Sequence, residues 1–308
     1  YKIMNRMGYA CINMQLSNNK PRIYTGRSMI KRTFKSKGIN YASELGLANC
    51  KDLFEIIKWN NENGFNFFRI TSNLFPWCSE YKLSDMPDYD EIKSILSDVG
   101  KYVKDNNMRI TSHPGPFNVL TSPHEHVVDN CINDLSIHGE VFDMMGLSRT
   151  PYNKINIHIG GVYGDKVSAM ERFCTNFQRL PDSVKTRLTV ENDDKASMYS
   201  VVDLYEGVYC KIGIPIVFDY HHHRFNTGGL TEEDALEVAI STWGDVVPVV
   251  HYSESRNIEQ ENDKIRPQAH SDYVYDYIDT YGNRVDIMVE AKHKELAVLK
   301  YKEVHGIL

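Results

Sequence analysis

The chain has 308 residues, 42% hydrophobic and 25% charged, with a formal net charge of -6. These proportions are ordinary for a folded globular protein and exclude collagen-like, fibrous and disordered classes. No run of about 18 apolar residues occurs, so no membrane span is expected.

The charge is unevenly placed. Residues 1–40 hold nine Lys or Arg (Lys2, Arg6, Lys20, Arg22, Arg27, Lys31, Arg32, Lys35 and Lys37) and no Asp or Glu, which leaves 26 basic against 41 acidic residues in the remainder. A segment at +9 on a body at -15 fits a polyanionic partner such as nucleic acid, with a solvated basic loop as the plain alternative. The start, Tyr1-Lys2-Ile3-Met4, has no apolar core of a signal peptide. It does not open on Met, so further native residues are expected before it. Cys11, Cys50, Cys78, Cys131, Cys174 and Cys210 are scattered without a C-x-x-C pair. That pattern suits free thiols in a reducing, intracellular compartment and lacks the spacing of a cysteine zinc site.

Short apolar, β-branched windows alternate along the chain with longer windows of helical period. The strand windows are 7–13, 66–71, 108–112, 155–159, 188–190, 215–218, 246–250 and 285–289. Their near-continuous apolarity is that of strands covered on both faces. The helix windows are 40–63, 89–107, 123–145, 166–180, 200–212, 231–243, 270–281 and 292–304, several of them stopped by glycine (Gly64, Gly146, Gly213, Gly244, Gly282). Ser122 is a candidate N-cap, and Thr231-Glu232-Glu233-Asp234 places carboxylates in a first turn, where the helix dipole favours them. Eight such units predict a single (β/α)8 TIM barrel over residues 1–308, with a doubly wound open sheet as the alternative. Residues 14–39 are too many for a βα turn and read as a long basic first loop.

Chemistry gathers where the later strands end. Strands three to eight finish at His113, His158, Glu191, Asp219, His251 and Glu290. In a parallel barrel these ends share one face, the face that carries active sites. Taken singly, each has a plain reading: a hydrogen-bonded histidine, a capping Glu191, a Glu290 paired with Lys292 or Lys294. Three imidazoles and three carboxylates in one mouth would be costly unless divalent cations joined them. Mixed nitrogen and oxygen ligands suit Zn²⁺ or Mn²⁺. Asp219 gains weight from the His221-His222-His223 run behind it. Glu80 and His270 are at no strand end and, on the residues alone, read as surface positions. There is no G-x-G-x-x-G after a strand, no G-x-x-x-x-G-K-[ST] loop and no G-x-S-x-G elbow.

At these motifs the sequence resembles the UV damage endonuclease family, related to endonuclease IV-type and xylose isomerase-like barrels. The matching stretches are M-G-Y-A-C-I-N (7–13), F-R-I-T-S-N-L-F-P-W (68–77), H-P-G (113–115), N-I-H-I-G-G (156–161), L-T-V-E-N-D-D (188–194), V-F-D-Y-H-H-H (217–223), H-Y-S (251–253), A-H-S-D-Y (269–273) and D-I-M-V-E-A-K-H-K-E (286–295). The resemblance implies a TIM barrel holding two or three divalent ions, Mn²⁺ first, and a nick on the 5′ side of a UV photoproduct in double-stranded DNA. It implies ligand roles for His113, His158, Glu191, Asp219, His222, His251, His270 and Glu290; of these Glu191 is the candidate for a bridging, catalytic carboxylate, since one oxygen can serve each ion. It places Tyr9, Asn13, Pro116 and Phe117 at the lesion.

This chain departs from the family at four places. Pro116 and Phe117 follow His-Pro-Gly where the family has Gln-Tyr; Phe117 can still wedge, but Pro116 offers no side-chain hydrogen bond. Glu80 stands where a histidine is common and could still bind metal. Val249 stands where the family has a lysine able to carry a bridging carboxylate, so two firm ions are expected and any third should be weak. The basic segment 14–39 has no clear counterpart. Beside a monomeric nuclease, the same residues leave open a sugar isomerase or epimerase, an apurinic-site endonuclease, and a damage-binding module that does not cut.

Overall fold

Eight four-or-fewer-residue strands build the frame. The computed structural model describes residues 5–307, so Lys2 of the basic segment lies outside the described residues. The strands are β1 (Met7–Ala10), β2 (Phe67–Ile70), β3 (Arg109–Ser112), β4 (Ile155–Ile157), β5 (Leu188–Glu191), β6 (Ile216–Asp219), β7 (Val249–Tyr252) and β8 (Asp286–Val289). Each pairs in parallel with the next and β8 returns to β1, closing a barrel in sequence order. The closed (β/α)8 barrel is thus present, and the open sheet is excluded.

The strands alternate between lumen and outer faces, as the period of two requires. Ala10, Phe67, Val217, Val249 and Met288 form an apolar layer within the lumen, with Trp243 beneath them. Below it, the Arg109 guanidinium meets Asp286 at 2.9 Å and three backbone carbonyls. Two residues further along the strands than the apolar layer come Arg69, Asp219, His251 and Glu290. Val249 therefore lies in the packed layer one step beneath His251, where it supplies volume and no ligand. The outward-facing side chains join a second, larger core against the helices.

Those helices are α1 (Met14–Ser17), α2 (Lys31–Glu62), α3 (Tyr89–Asp105), α4 (Glu125–Met144), α5 (Lys166–Phe177), α6 (Asp182–Lys185), α7 (Val201–Leu204), α8 (Cys210–Ile212), α9 (Tyr220–Phe225), α10 (Glu232–Ser241), α11 (Arg256–Glu259) and α12 (Glu295–Val304). None is long and apolar enough to cross a membrane. All six cysteines are free, with Cys50 and Cys131 buried.

Three sequence expectations need correction. The 14–39 segment is not a loop throughout. α2 begins at Lys31 and is broken at Gly38, whose φ of 67° leaves a short basic helical leg ahead of the predicted 40–63 helix. Phe34 on that leg stacks on Trp77 with ring centroids 5.8 Å apart. The 200–212 window is helical but passes through a π-turn at Tyr205–Tyr209. The 270–281 window is not a helix, although Val274 and Ile278 are buried at helical spacing. Its amides are taken by side chains instead: Asp272 and Tyr273 donate to Glu259, Tyr275 and Asp276 to Glu254, and Ile278 to the Tyr301 hydroxyl. Such side-chain acceptors compete directly with a helical ladder.

Candidate metal centre

Parallel pairing fixes which ends become neighbours. Asp219 on β6 sits in register with His251 on β7, and the ends of β3, β4 and β5 turn inward beside them. Glu191 is at the middle. One oxygen, Oε1, lies 2.9 Å from His113 Nε2 and 3.1 Å from His158 Nε2. The other, Oε2, lies 2.9 Å from His251 Nδ1 and 3.7 Å from His222 Nδ1. Two groups of ligand atoms result, each within 4.8 Å: His113, His158 and Glu191; and Glu191, Asp219, His251 and Glu290. Glu191 belongs to both.

Neighbouring bonds orient these groups. The His113 Nδ1 lies 3.0 Å from the Pro114 carbonyl and the His158 Nδ1 2.7 Å from Asp193, so Nε2 is left facing Glu191 in each ring. Asn156 donates to Glu191 Oε1 at 3.0 Å and accepts from Thr189. His222 lies 3.5 Å from Asp219 and 2.7 Å from the Asn192 carbonyl.

The electrostatics of this arrangement ask for a cation. Burial would raise the Glu191 carboxyl, but His251, His158 and His113 outweigh it and hold the group well below the usual range. Burial drives Asp219 well above that range, and Glu191 and Glu290 push it further than His222 can reverse. Three carboxylates therefore converge where the protein's own imidazoles satisfy only part of their charge. Asp219 Oδ2 and His251 Nε2 are buried without a hydrogen-bond partner among the described residues. A divalent ion would complete the donors and remove the conflict, so the residues fit a metal.

Other expected residues fall elsewhere. His270 faces Glu290 across a cleft and is in neither compact group. Glu80 lies on an exposed 3-10 turn and is likewise in neither. Tyr9 is fully buried between Phe65 and Phe68, and its hydroxyl bonds Asn60 and Asn13. Asn13 is also buried and caps α1 by accepting from Leu16. Neither side chain is displayed to a duplex in this structure: Tyr9 is on the outer face of β1, against α2, and braces the β1–α1 turn. Pro116 and Phe117 do protrude, with Phe117 68% exposed.

Sequence reasoning missed four residues around the centre. Arg69 bonds Glu290 at 3.0 Å; a lone arginine inside an apolar strand was its signal. Asn156 and Asp193 stand two residues from His158 and Glu191 respectively, a spacing that could have revealed them. Lys154 is fully buried at the lower end of β4, its amine without a partner among the described residues.

A closed parallel barrel with imidazoles and carboxylates gathered around one shared glutamate defines the class, a TIM-barrel protein with a metal-type centre in its mouth. A family model described as UV-endonuclease UvdE matches residues 5–307. The chain belongs to that family. It is 37% identical over 305 residues to a UV-damage endonuclease of Schizosaccharomyces pombe, covering 96% of this chain and 50% of that one. A UV DNA damage endonuclease of Bacillus cereus is 30% identical over 309 residues, covering 96% and 93%. The chain thus spans about half the length of the yeast relative but nearly all of the bacterial one. The crystal structure of SacUVDE superimposes with a TM-score of 0.83 at 32% identity, covering 98% of both chains. A D-psicose 3-epimerase shares the fold at a TM-score of 0.54 and 13% identity.

Proposed function

We propose that this chain is a metal-dependent DNA-repair endonuclease that nicks damaged duplex DNA on the 5′ side of UV photoproducts. The carrying observation is the placement of Glu191, whose two oxygens each face a separate set of ligand atoms. His113, His158 and Glu191 would hold one ion; Glu191, Asp219, His251 and Glu290 a second, with His222 and His270 flanking. Mn²⁺ suits this nitrogen and oxygen mixture, with Zn²⁺ or Mg²⁺ as alternatives. Such ions supply Lewis acidity, making water a competent nucleophile at neutral pH and offsetting charge on the phosphodiester.

The chain's own groups do the rest. Asn156 and Asp193 keep Glu191 and His158 in place. Phe117, exposed four residues after His113, can wedge into a distorted duplex, and unstacking costs least at damaged bases. The basic leg of α2 offers phosphate contacts. The protein acts as a monomer inside the cell. Val249 and Glu80 leave a third ion without firm ligands, so two tightly held ions are expected.

Incision of end-labelled, UV-irradiated duplex in Mn²⁺ tests the reading. Wild type should cut 5′ of the lesion, and Glu191→Gln should not. An intact irradiated duplex together with sugar interconversion would overturn it, as would binding to irradiated DNA that never leads to a nick.

A further inference from the structure

Behind Glu290, on the side away from Glu191, the barrel mouth opens into a cleft of about 340 Å³ at the ends of β1, β2 and β8. Its walls carry four cations, Arg69, Arg266, Lys292 and Lys294, together with the His270 imidazole, against the single carboxylate of Glu290. Arg69 is paired with Glu290 Oε2. The charged ends of Arg266, Lys292 and Lys294 have no ion pair or hydrogen bond among the described residues. Unbalanced cations around a partly enclosed space favour an anion.

The backbone is shaped to present them. His293, between the two lysines, stacks on Tyr273 with ring centroids 4.7 Å apart and 9° between planes. That anchor holds the 292–294 segment. Lys294 adopts a φ of 53°, a conformation that L residues rarely accept, at the head of α12. Strain of this kind persists where surrounding structure enforces it, and it gathers at binding sites. Lys294 is half-buried and Arg69 more deeply so, which strengthens their pull on an anion relative to cations in open water.

The cleft also has a fixed relation to the metal-type centre. Glu290 Oε2 faces Arg69, while Oε1 lies 3.6 Å from His251 Nδ1. One carboxylate is the shared wall. An anion in the cleft would stand beside the reacting group, held by lysine and arginine cations that do not themselves ligate metal.

We propose that this cleft seats a backbone phosphodiester of the cut strand, a neighbour of the one that is broken, held by Lys294, Lys292 and Arg266, with Arg69 behind. This inference rests on the DNA-nicking reading. It assigns the cleft a register role: one phosphate locked here sets which neighbouring phosphate meets the metals.

The test is binding of UV-irradiated duplex to the whole Mn²⁺-loaded chain at several salt concentrations. Lys294→Ala and the pair Lys292→Ala/Lys294→Ala should each bind roughly five- to tenfold more weakly or worse at about 0.1 M salt, and the slope of log K against log salt should become shallower by about one per lost contact. Lys294→Arg should restore most of both. A duplex carrying one neutral methylphosphonate, walked along the cut strand, should lose affinity for wild type at one position next to the nick and lose no more with the double variant. Mn²⁺ stoichiometry and thermal unfolding report whether a variant is merely misfolded; if Ala variants fail that check, the methylphosphonate walk on wild type alone decides. Unchanged salt slopes in folded variants, or no sensitive position beside the nick, would overturn the proposal while leaving the nuclease reading intact. So would inorganic phosphate binding to wild type that the lysine variants abolish without any change towards DNA. If wild type cuts no irradiated DNA, the nuclease reading itself falls.

Discussion

Asn156 Nδ2 stands 3.0 Å from Glu191 Oε1, reaching it from the adjacent strand. This one hydrogen bond from the side-chain amide pins the oxygen that His113 and His158 also face. Thr189 in turn donates to the Asn156 carbonyl oxygen at 2.8 Å, so the amide cannot flip without loss.

Asn156→Ala should therefore leave the barrel folded but release Glu191. Partners of this type ordinarily contribute about 10- to 100-fold in metal affinity or activity. Incision rate titrated against Mn²⁺ measures it. The half-saturating Mn²⁺ concentration should rise, and a curve matching wild type would show that the histidines alone fix Glu191.

A second network reaches the exposed Phe117. Asn118 donates to the Gly115 carbonyl at 3.0 Å and to Asp134 at 2.8 Å, and Ser112 meets the buried His138 at 3.0 Å. The turn that displays Phe117 is thereby tied to α4. Asn118→Ala should cost about 1 kcal/mol in stability or slightly more. It should also narrow the preference for irradiated over undamaged duplex, as Phe117→Ala should. Competition binding with the two duplexes gives the ratio, and a loss in both affinities by an equal factor would argue against a wedge.

Lys154 gives a pH dependence with a definite sign. Burial first, and then Arg69, pushes its amine down from 10.5 to about 7. Between those values the unfolded chain holds a proton that the folded chain lacks. Stability consequently falls as pH drops from 10.5 to 7 and the handicap is complete below 7. Lys154→Met should stabilise metal-free protein by on the order of 1–3 kcal/mol near about pH 6, and by less near about pH 9. Urea unfolding at both pH values checks the trend; an equal or reversed gain would mean that the lysine has a buried partner in solution.

At the opposite end of the lumen, Asp286 is the anionic partner of Arg109. Asp286→Ala strands a buried guanidinium and should cost about 3–5 kcal/mol. Because this pair lies below the apolar layer, the surviving folded fraction should keep its Mn²⁺ stoichiometry. Calorimetric unfolding combined with metal analysis separates the two effects.

The sequence by itself determined the barrel and much of its mouth. Near-continuous apolar strands can be buried only between a lumen and a ring of helices, and a parallel strand has one end at which polar side chains can gather. By that logic His113, His158, Glu191, Asp219, His251 and Glu290 must meet at one end of the barrel. Local pattern failed where side chains from distant positions took over the backbone. Glu254, Glu259 and Tyr301 hold the amides of 272–278, so helical spacing at Val274 and Ile278 produced no helix. The exposed place of Glu80 agrees with its reading from the residues alone, whereas the direction of Tyr9, buried against α2, depends on register and on what packs above the strand. Only closure of the barrel decided that one glutamate serves two sets of ligands, that Arg69 shares Glu290 with them, and that Lys154 ends alone in the lumen. Those are consequences of distances between strands, which no single stretch of residues encodes.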